Sequence, residues 1–176
     1  MKKGLIHVYT GAGKGKTTAA MGLALRAAGC GYQVKIFQFC KGRPSGELNM
    51  LQKLDRIELH RDECGSTKFS WDMNAEEKAE WIDAQQMLFD DACEAACDPD
   101  CDLVILDEAL GAVHAGALQL SQLLYLMSHK YKGTELVITG RDAPEQLIQA
   151  ADYVTEMRAV RHPYEQGIDA RRGIEF

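Results

Sequence analysis

Proline is scarce in this sequence, 4 residues among 176, and neither an internal repeat nor a low-complexity stretch takes its place. Glycine is far commoner, at 16 residues, so the punctuation points to tight turns and excludes collagen-like or disordered architectures. No apolar run approaches the roughly 20 residues that a membrane-spanning helix needs. The amino-terminal run Leu5-Ile6 breaks at His7 and then meets glycines, which predicts neither a signal peptide nor an anchor. Basic charge is not in excess: 20 Lys and Arg against 26 Asp and Glu leave a net charge of −6, which argues against a protein that coats nucleic acid. Six cysteines are present, yet no CxxC pair or nearby His completes a zinc pattern. Cys93, Cys97 and Cys101 recur every fourth residue. With Cys30, Cys40 and Cys64 they are expected as reduced structural thiols in the cytoplasm.

What is present is an alternation of short apolar runs with amphipathic stretches. That pattern predicts an α/β fold, one domain over residues 1–176, with a mostly parallel central sheet flanked by helices. Strands are expected at Leu5–Tyr9, Gln33–Phe39, Arg56–His60, Leu103–Leu106, Glu135–Thr139 and Tyr153–Met157, several of them dense in Val and Ile as buried parallel strands are. Thr17–Ala28 reads as a helix capped by Gly29. Asn74 and Glu77 form a capping box for a long helix to about Ala96, ended by Asp98-Pro99-Asp100. Shorter helices are expected over Leu118–Met127 and from Pro144 to Ala151, and the tail from Arg161 to Phe176 reads as irregular.

The most informative stretch is Thr10-Gly11-Ala12-Gly13-Lys14-Gly15-Lys16-Thr17-Thr18, between the first strand and the first helix. Strand, glycine-rich turn, Lys-Thr and helix together form a phosphate-binding loop. Glycines let consecutive N–H groups curl around phosphate oxygens, Lys16 supplies a charge, and Thr17 offers a hydroxyl to Mg²⁺. Thr10 stands where such loops ordinarily begin with Gly. The run Leu103–Leu106 delivers Asp107-Glu108 at a strand end, as phosphate-loop proteins hold Mg²⁺. Ligands of open parallel sheets bind beyond the carboxyl ends of the strands, where Gln38, Lys41, Arg43, Thr139 and Arg141 are also expected.

These residues resemble the phosphate-loop class of ATP:corrinoid adenosyltransferases. The resemblance runs through Val8 to Ala20, Gly22 with Arg26, Gln38-Phe39 with Lys41-Gly42, Phe69-Ser70-Trp71, Leu106-Asp107-Glu108, Thr139-Gly140-Arg141, His162-Pro163-Tyr164 and Gly173 to Phe176. It implies a RecA-like core and transfer of the 5′-deoxyadenosyl group of ATP to the cobalt(I) of a corrinoid: cobyrinic acid diamide, cobinamide or cobalamin. Triphosphate is released, and the nucleotide lies reversed relative to most phosphate loops. It further implies that Gly11, Ala12, Gly13, Lys14, Gly15, Lys16, Thr17, Thr18, Arg26, Lys41 and Arg141 bind ATP. Mg²⁺ is held through Thr17 and Glu108 with Asp107 nearby, and Lys16, Thr17 and Glu108 are the catalytic set. Phe69 and Trp71 are implied to crowd the lower axial face of cobalt so that cobalt(II) is reduced without its ligand. A reduced flavoprotein donor and a homodimer are likewise implied, the sequence having no flavin or iron–sulfur motif of its own. Ala12 departs from the polar residue common in the family, and the chain starts almost at the first strand where some relatives carry a longer extension over the corrinoid. On the residues alone, a phosphate-loop kinase or ATPase and a nucleotide-gated assembly protein stay open as alternatives.

Overall fold

Six parallel strands form one sheet: β1 (Ile6–Thr10), β2 (Val34–Gln38), β3 (Ile57–Arg61), β4 (Leu103–Asp107), β5 (Glu135–Thr139) and β6 (Tyr153–Glu156), in the spatial order β3-β2-β4-β5-β1-β6. The structure is a computed structural model that describes residues 3–42, 46–62 and 72–174. All six expected strands are present, with ends within a residue or so of the expected ones.

Alternation of side chains along the buried strands sorts the apolar residues onto two faces. On β4, Leu103 and Ile105 join Val34, Ile36 and Val137 against Ala20, Met21, Ala24 and Ala27 of helix α1 (Lys16–Gly29). Val104 and Leu106 face the other way, into a larger core with Trp81, Leu88 and Phe89 of α3 (Ala75–Cys97) and Leu123 and Leu126 of α5 (Leu120–His129). Every residue of β4 is buried, which is why that strand reads as a continuous apolar run. The small residues of α1 let the helix lie close to the sheet, which sets the loop before it at the strand ends.

The capping box is formed: the Asn74 side chain accepts from the Glu77 N–H at 2.9 Å and Glu77 accepts from the Asn74 N–H at 3.0 Å, a contribution of about 1 kcal/mol. Helix α1 is terminated differently from expectation. Gly29 is its last residue, Cys30 follows in a non-helical bridge, and the left-handed position is taken by Gly31 at φ 89°, where the missing Cβ removes the steric cost. Three short elements were not legible: α2 (Leu48–Leu51), α4 (Ala109–His114) and a 3-10 turn at Pro163–Gln166 within the otherwise irregular tail. The last helix, α6, spans Glu145–Ala150 with Pro144 as its N-cap residue. Cys30, Cys40, Cys93, Cys97 and Cys101 are free thiols. Burial pushes Cys40 up to about 12 and Cys93 and Cys101 up to about 11, so these three are poor nucleophiles.

Candidate nucleotide site at the strand ends

The loop Gly11–Gly15 leaves β1 and enters α1 through Gly15, the helix N-cap. That N-terminus has no side-chain cap and no acidic residue in its first turn, so its N–H groups and dipole are left for an anion. The loop is braced by the chain leaving β6. The Gly13 N–H donates to the Met157 carbonyl at 2.6 Å, and a Cβ at Gly13 would stand 2.6 Å from that same oxygen. No larger residue fits there without moving backbone. Thr10, the departure from the usual glycine, ties the loop to the opposite side: its hydroxyl accepts from the Ala143 N–H at 3.1 Å.

Lys16 is folded over its own loop, with Nζ donating to the carbonyls of Gly11 at 2.6 Å and Gly13 at 2.9 Å. Burial pushes its ammonium below the usual range; Glu108, Asp107 and Asp142 oppose that shift, and Arg141 adds to it. Thr17 Oγ1 donates to Asp107 Oδ1 at 2.9 Å, bringing the loop and the acidic pair together as expected. Within the pair, however, it is Asp107 that touches Thr17. Asp107 is fully buried and accepts from four donors: Thr17 and Thr139 (2.8 Å) on one oxygen, and Gln38 Nε2 (3.1 Å) and Lys41 Nζ (2.5 Å) on the other. The registers explain this, since Gln38 lies beside Asp107 across β2 and β4 while β5 carries Thr139 in from the other side.

Glu108 turns left-handed at φ 61° and starts α4, its N–H donating to Thr139 Oγ1 at 2.9 Å. Burial and the charge of Asp107 raise its carboxyl above the ordinary range, opposed by Lys41, Lys16 and Arg141. Among the described residues, the non-glycine positions with positive φ are Cys40, Glu108 and Asp142. They follow β2, β4 and β5 at the end of the sheet that carries the loop, the kind of place where strained backbone aims functional side chains.

The remaining expected site residues are distributed as follows. Lys41 and Arg141 stand with the loop, by the hydrogen bonds of the one and the electrostatic influence of the other on Lys16 and Glu108. Ala12, Lys14 and Thr18 are exposed along the loop and first helical turn, and Lys14 Nζ donates to the Ile174 carbonyl of the tail at 2.9 Å. Arg26 is not brought to the loop. It sits exposed in the last turn of α1, about 15 Å along the helix from Lys16, because ten helical steps carry it to the opposite end. Phe69, Trp71 and Arg43 lie outside the described residues. Gln38 and Thr139 were legible only as residues at strand ends. Their convergence on Asp107 depends on strand order, which no local pattern encodes. Beside the loop, a cavity of about 420 Å³ is lined by Lys14 together with Arg158, Arg161, His162, Tyr164 and Arg171 of the tail.

The donor set suits a hard cation. Thr17, Asp107 and Glu108 offer oxygen, and Mg²⁺ typically takes only one or two protein carboxylates beside phosphates and water. Among the described residues no group of three His, Cys, Asp or Glu side chains is arranged to hold a metal.

Solved structures share the fold at low identity. EssC (ATPases 2 and 3) from Geobacillus thermodenitrificans superposes with TM-score 0.51 at 17% identity, covering 97% of this chain and 35% of that one. The cytoplasmic domain of the type VII secretion ATPase EccC from Thermomonospora curvata superposes with TM-score 0.51 at 14% identity over 94% of this chain and 21% of that one. Relatives in sequence are far nearer. The corrinoid adenosyltransferase of Escherichia coli K12 is 35% identical over 99% of this chain and 87% of its own length. That of Pseudomonas aeruginosa is 36% identical over 99% and 85%. The sequence profile described as ATP:corrinoid adenosyltransferase BtuR/CobO/CobP matches residues 2–176. A phosphate loop whose threonine is bonded to a buried aspartate, in a chain matched by that profile almost from end to end, places this protein in the ATP:corrinoid adenosyltransferase family.

Proposed function

We propose that this protein transfers the 5′-deoxyadenosyl group of ATP to the cobalt(I) of a corrinoid, in the formation or salvage of adenosylcobalamin. The observation that carries the proposal is family membership over nearly the whole chain. The site's chemistry agrees with it. Cobalt(I) supplies the electron pair that forms the bond to C5′, the C5′–oxygen bond breaks, and its electrons leave on triphosphate. No protein nucleophile is needed. What the protein must do is hold a polyanionic leaving group in line and keep water out.

Lys16, Lys41, the N-terminus of α1 and the loop amides are the groups that stabilise charge on that triphosphate. Thr17 and Asp107, with Glu108 beside them, would hold Mg²⁺, which when bound neutralises part of the same charge. Arg141, near Lys16 and Glu108, and the tail cavity, whose basic residues outnumber its one acid, Asp169, are assigned to the rest of the substrates. Phe69 and Trp71 serve the corrinoid side, crowding the lower face of cobalt(II) so that a reduced flavoprotein can deliver an electron to it. A cytoplasmic homodimer is the form in which we expect it. No helix among the described residues is long and apolar enough to cross a membrane.

One observation favours a rival: Glu108, with its raised carboxyl beside the loop, could serve as the base of an ATP hydrolase. Product analysis separates the two. Anaerobic incubation with ATP, Mg²⁺ and chemically reduced corrinoid should yield triphosphate and the spectrum of an alkylcobalt product in equal amounts. ADP and phosphate without cobalt alkylation would refute the proposal. The aromatic pair has its own test: replacing both Phe69 and Trp71 by Ala should slow the reaction that starts from cobalt(II) and a flavoprotein much more than the one that starts from cobalt(I). Equal losses from the two starting points would mean that the pair binds substrate without displacing a ligand.

A further inference from the structure

Lys41 makes a contact that ATP binding does not require. Its ammonium donates to both Asp107 Oδ2 (2.5 Å) and Thr17 Oγ1 (3.1 Å), so a single positive charge bridges the two oxygen groups that a phosphate-loop metal would use. The backbone of this residue is anchored, while its side chain stays partly exposed. Cys40, left-handed at φ 56°, donates its N–H to Gln85 Oε1 at 3.0 Å, and Arg61 donates to the Lys41 carbonyl, while the Lys41 side chain is 25% exposed. Beside it, Gln38 Oε1 is buried without a hydrogen-bond partner. The amide cannot be flipped to relieve this, because its nitrogen donates to Asp107 and the exchange would set oxygen against carboxylate. A buried acceptor left without a donor costs free energy.

We propose that Lys41 is a tethered cation that occupies the divalent metal's seat in the nucleotide-free protein and vacates it for the triphosphate when the metal arrives. The proposal rests on Thr17 and Asp107 forming that seat. The buried Asp107 carboxylate then has a counter-charge in both states: the ammonium when empty, the divalent ion when loaded. Such an exchange makes metal binding depend on nucleotide, since an ammonium released without a phosphate to receive it loses its partner. It also keeps the empty site from binding free Mg²⁺.

Thermal denaturation with Mg²⁺ alone, ATP alone and both together, on wild-type protein and K41M, tests this. Methionine keeps most of the length of the side chain and removes its charge. Mg²⁺ alone should leave the wild-type Tm unchanged and raise that of K41M by roughly 5 °C at about a hundredfold excess over its Kd. Adding Asp107→Asn to K41M should abolish the response. A response that persists places Mg²⁺ elsewhere and overturns the proposal. Equal behaviour of wild type and K41M toward Mg²⁺ alone, while Mg²⁺ with ATP stabilises both beyond ATP alone, overturns the role of Lys41 and leaves the metal site standing. If Mg²⁺ adds nothing to ATP in either protein, the metal site itself is wrong and the proposal falls with it. K41Q carries the same comparison if K41M fails to fold. Stabilisation of nucleotide-free wild type by Mg²⁺ overturns the proposal without any variant.

Discussion

Lys16→Ala is expected to lower adenosyl transfer by on the order of a hundredfold or more, the loss typical when a preorganised charge at a developing anion is removed. The lysine is not a flexible surface cation that solvent or a neighbour could replace. Its Nζ is bonded to the carbonyls of Gly11 and Gly13, so the charge is fixed over the centre of the loop before substrate arrives. Burial already pushes the ammonium below its usual range, and bound triphosphate would restore it, an interaction that grows as negative charge gathers on the leaving group. The fall should therefore appear in kcat as well as in kcat/KM, with circular dichroism unchanged. Near-normal turnover by a folded variant would remove the loop from the reaction.

The second large effect is expected at Asp107. Asparagine preserves the shape of the side chain but turns one oxygen into a donor, where four donors now converge. One arrangement sets the amide nitrogen against Gln38 and Lys41. The other sets it against Thr17 and Thr139, whose hydroxyls already accept from Lys41 and the Glu108 N–H. Either way a buried polar group is left unsatisfied, at about 1–3 kcal/mol, which for a chain of this size lowers Tm by roughly 2–4 °C per kcal/mol. Mg²⁺-dependent turnover should fall by about a hundredfold or more, since the buried charge opposite Thr17 is gone. Glu108→Gln should weaken the Mg²⁺ dependence less and leave Tm nearly unchanged, because the Glu108 backbone, not its side chain, is bonded into the network. A Glu108→Gln loss larger than that of Asp107→Asn would reverse the assignment of the two carboxylates.

Much of this protein follows from local pattern. The six strands, the two long helices with the Asn74 and Glu77 cap, and the phosphate loop are written in hydrophobic periodicity, glycine spacing and single capping residues, which act within a few positions of themselves. They appear where the sequence places them. The order of the strands is not local. It decides that β5 separates β1 from β4, that Thr139 bridges the gap, and that Gln38 and Lys41 reach Asp107 from β2 and the turn after it. A dipeptide Asp107-Glu108 at a strand end does not reveal which carboxylate faces the loop. The pleat points Asp107 at Thr17, and the left-handed turn at Glu108 starts α4 and sends the chain away. Arg26, a matching residue in the sequence, stands at the far end of α1 through the rise of the helix itself. Residue types and spacing determined that this chain would hold a polyphosphate. Tertiary structure alone decided which charges meet there, because long-range pairing brings together groups such as Thr17 and Asp107, 90 residues apart, only once the sheet has formed.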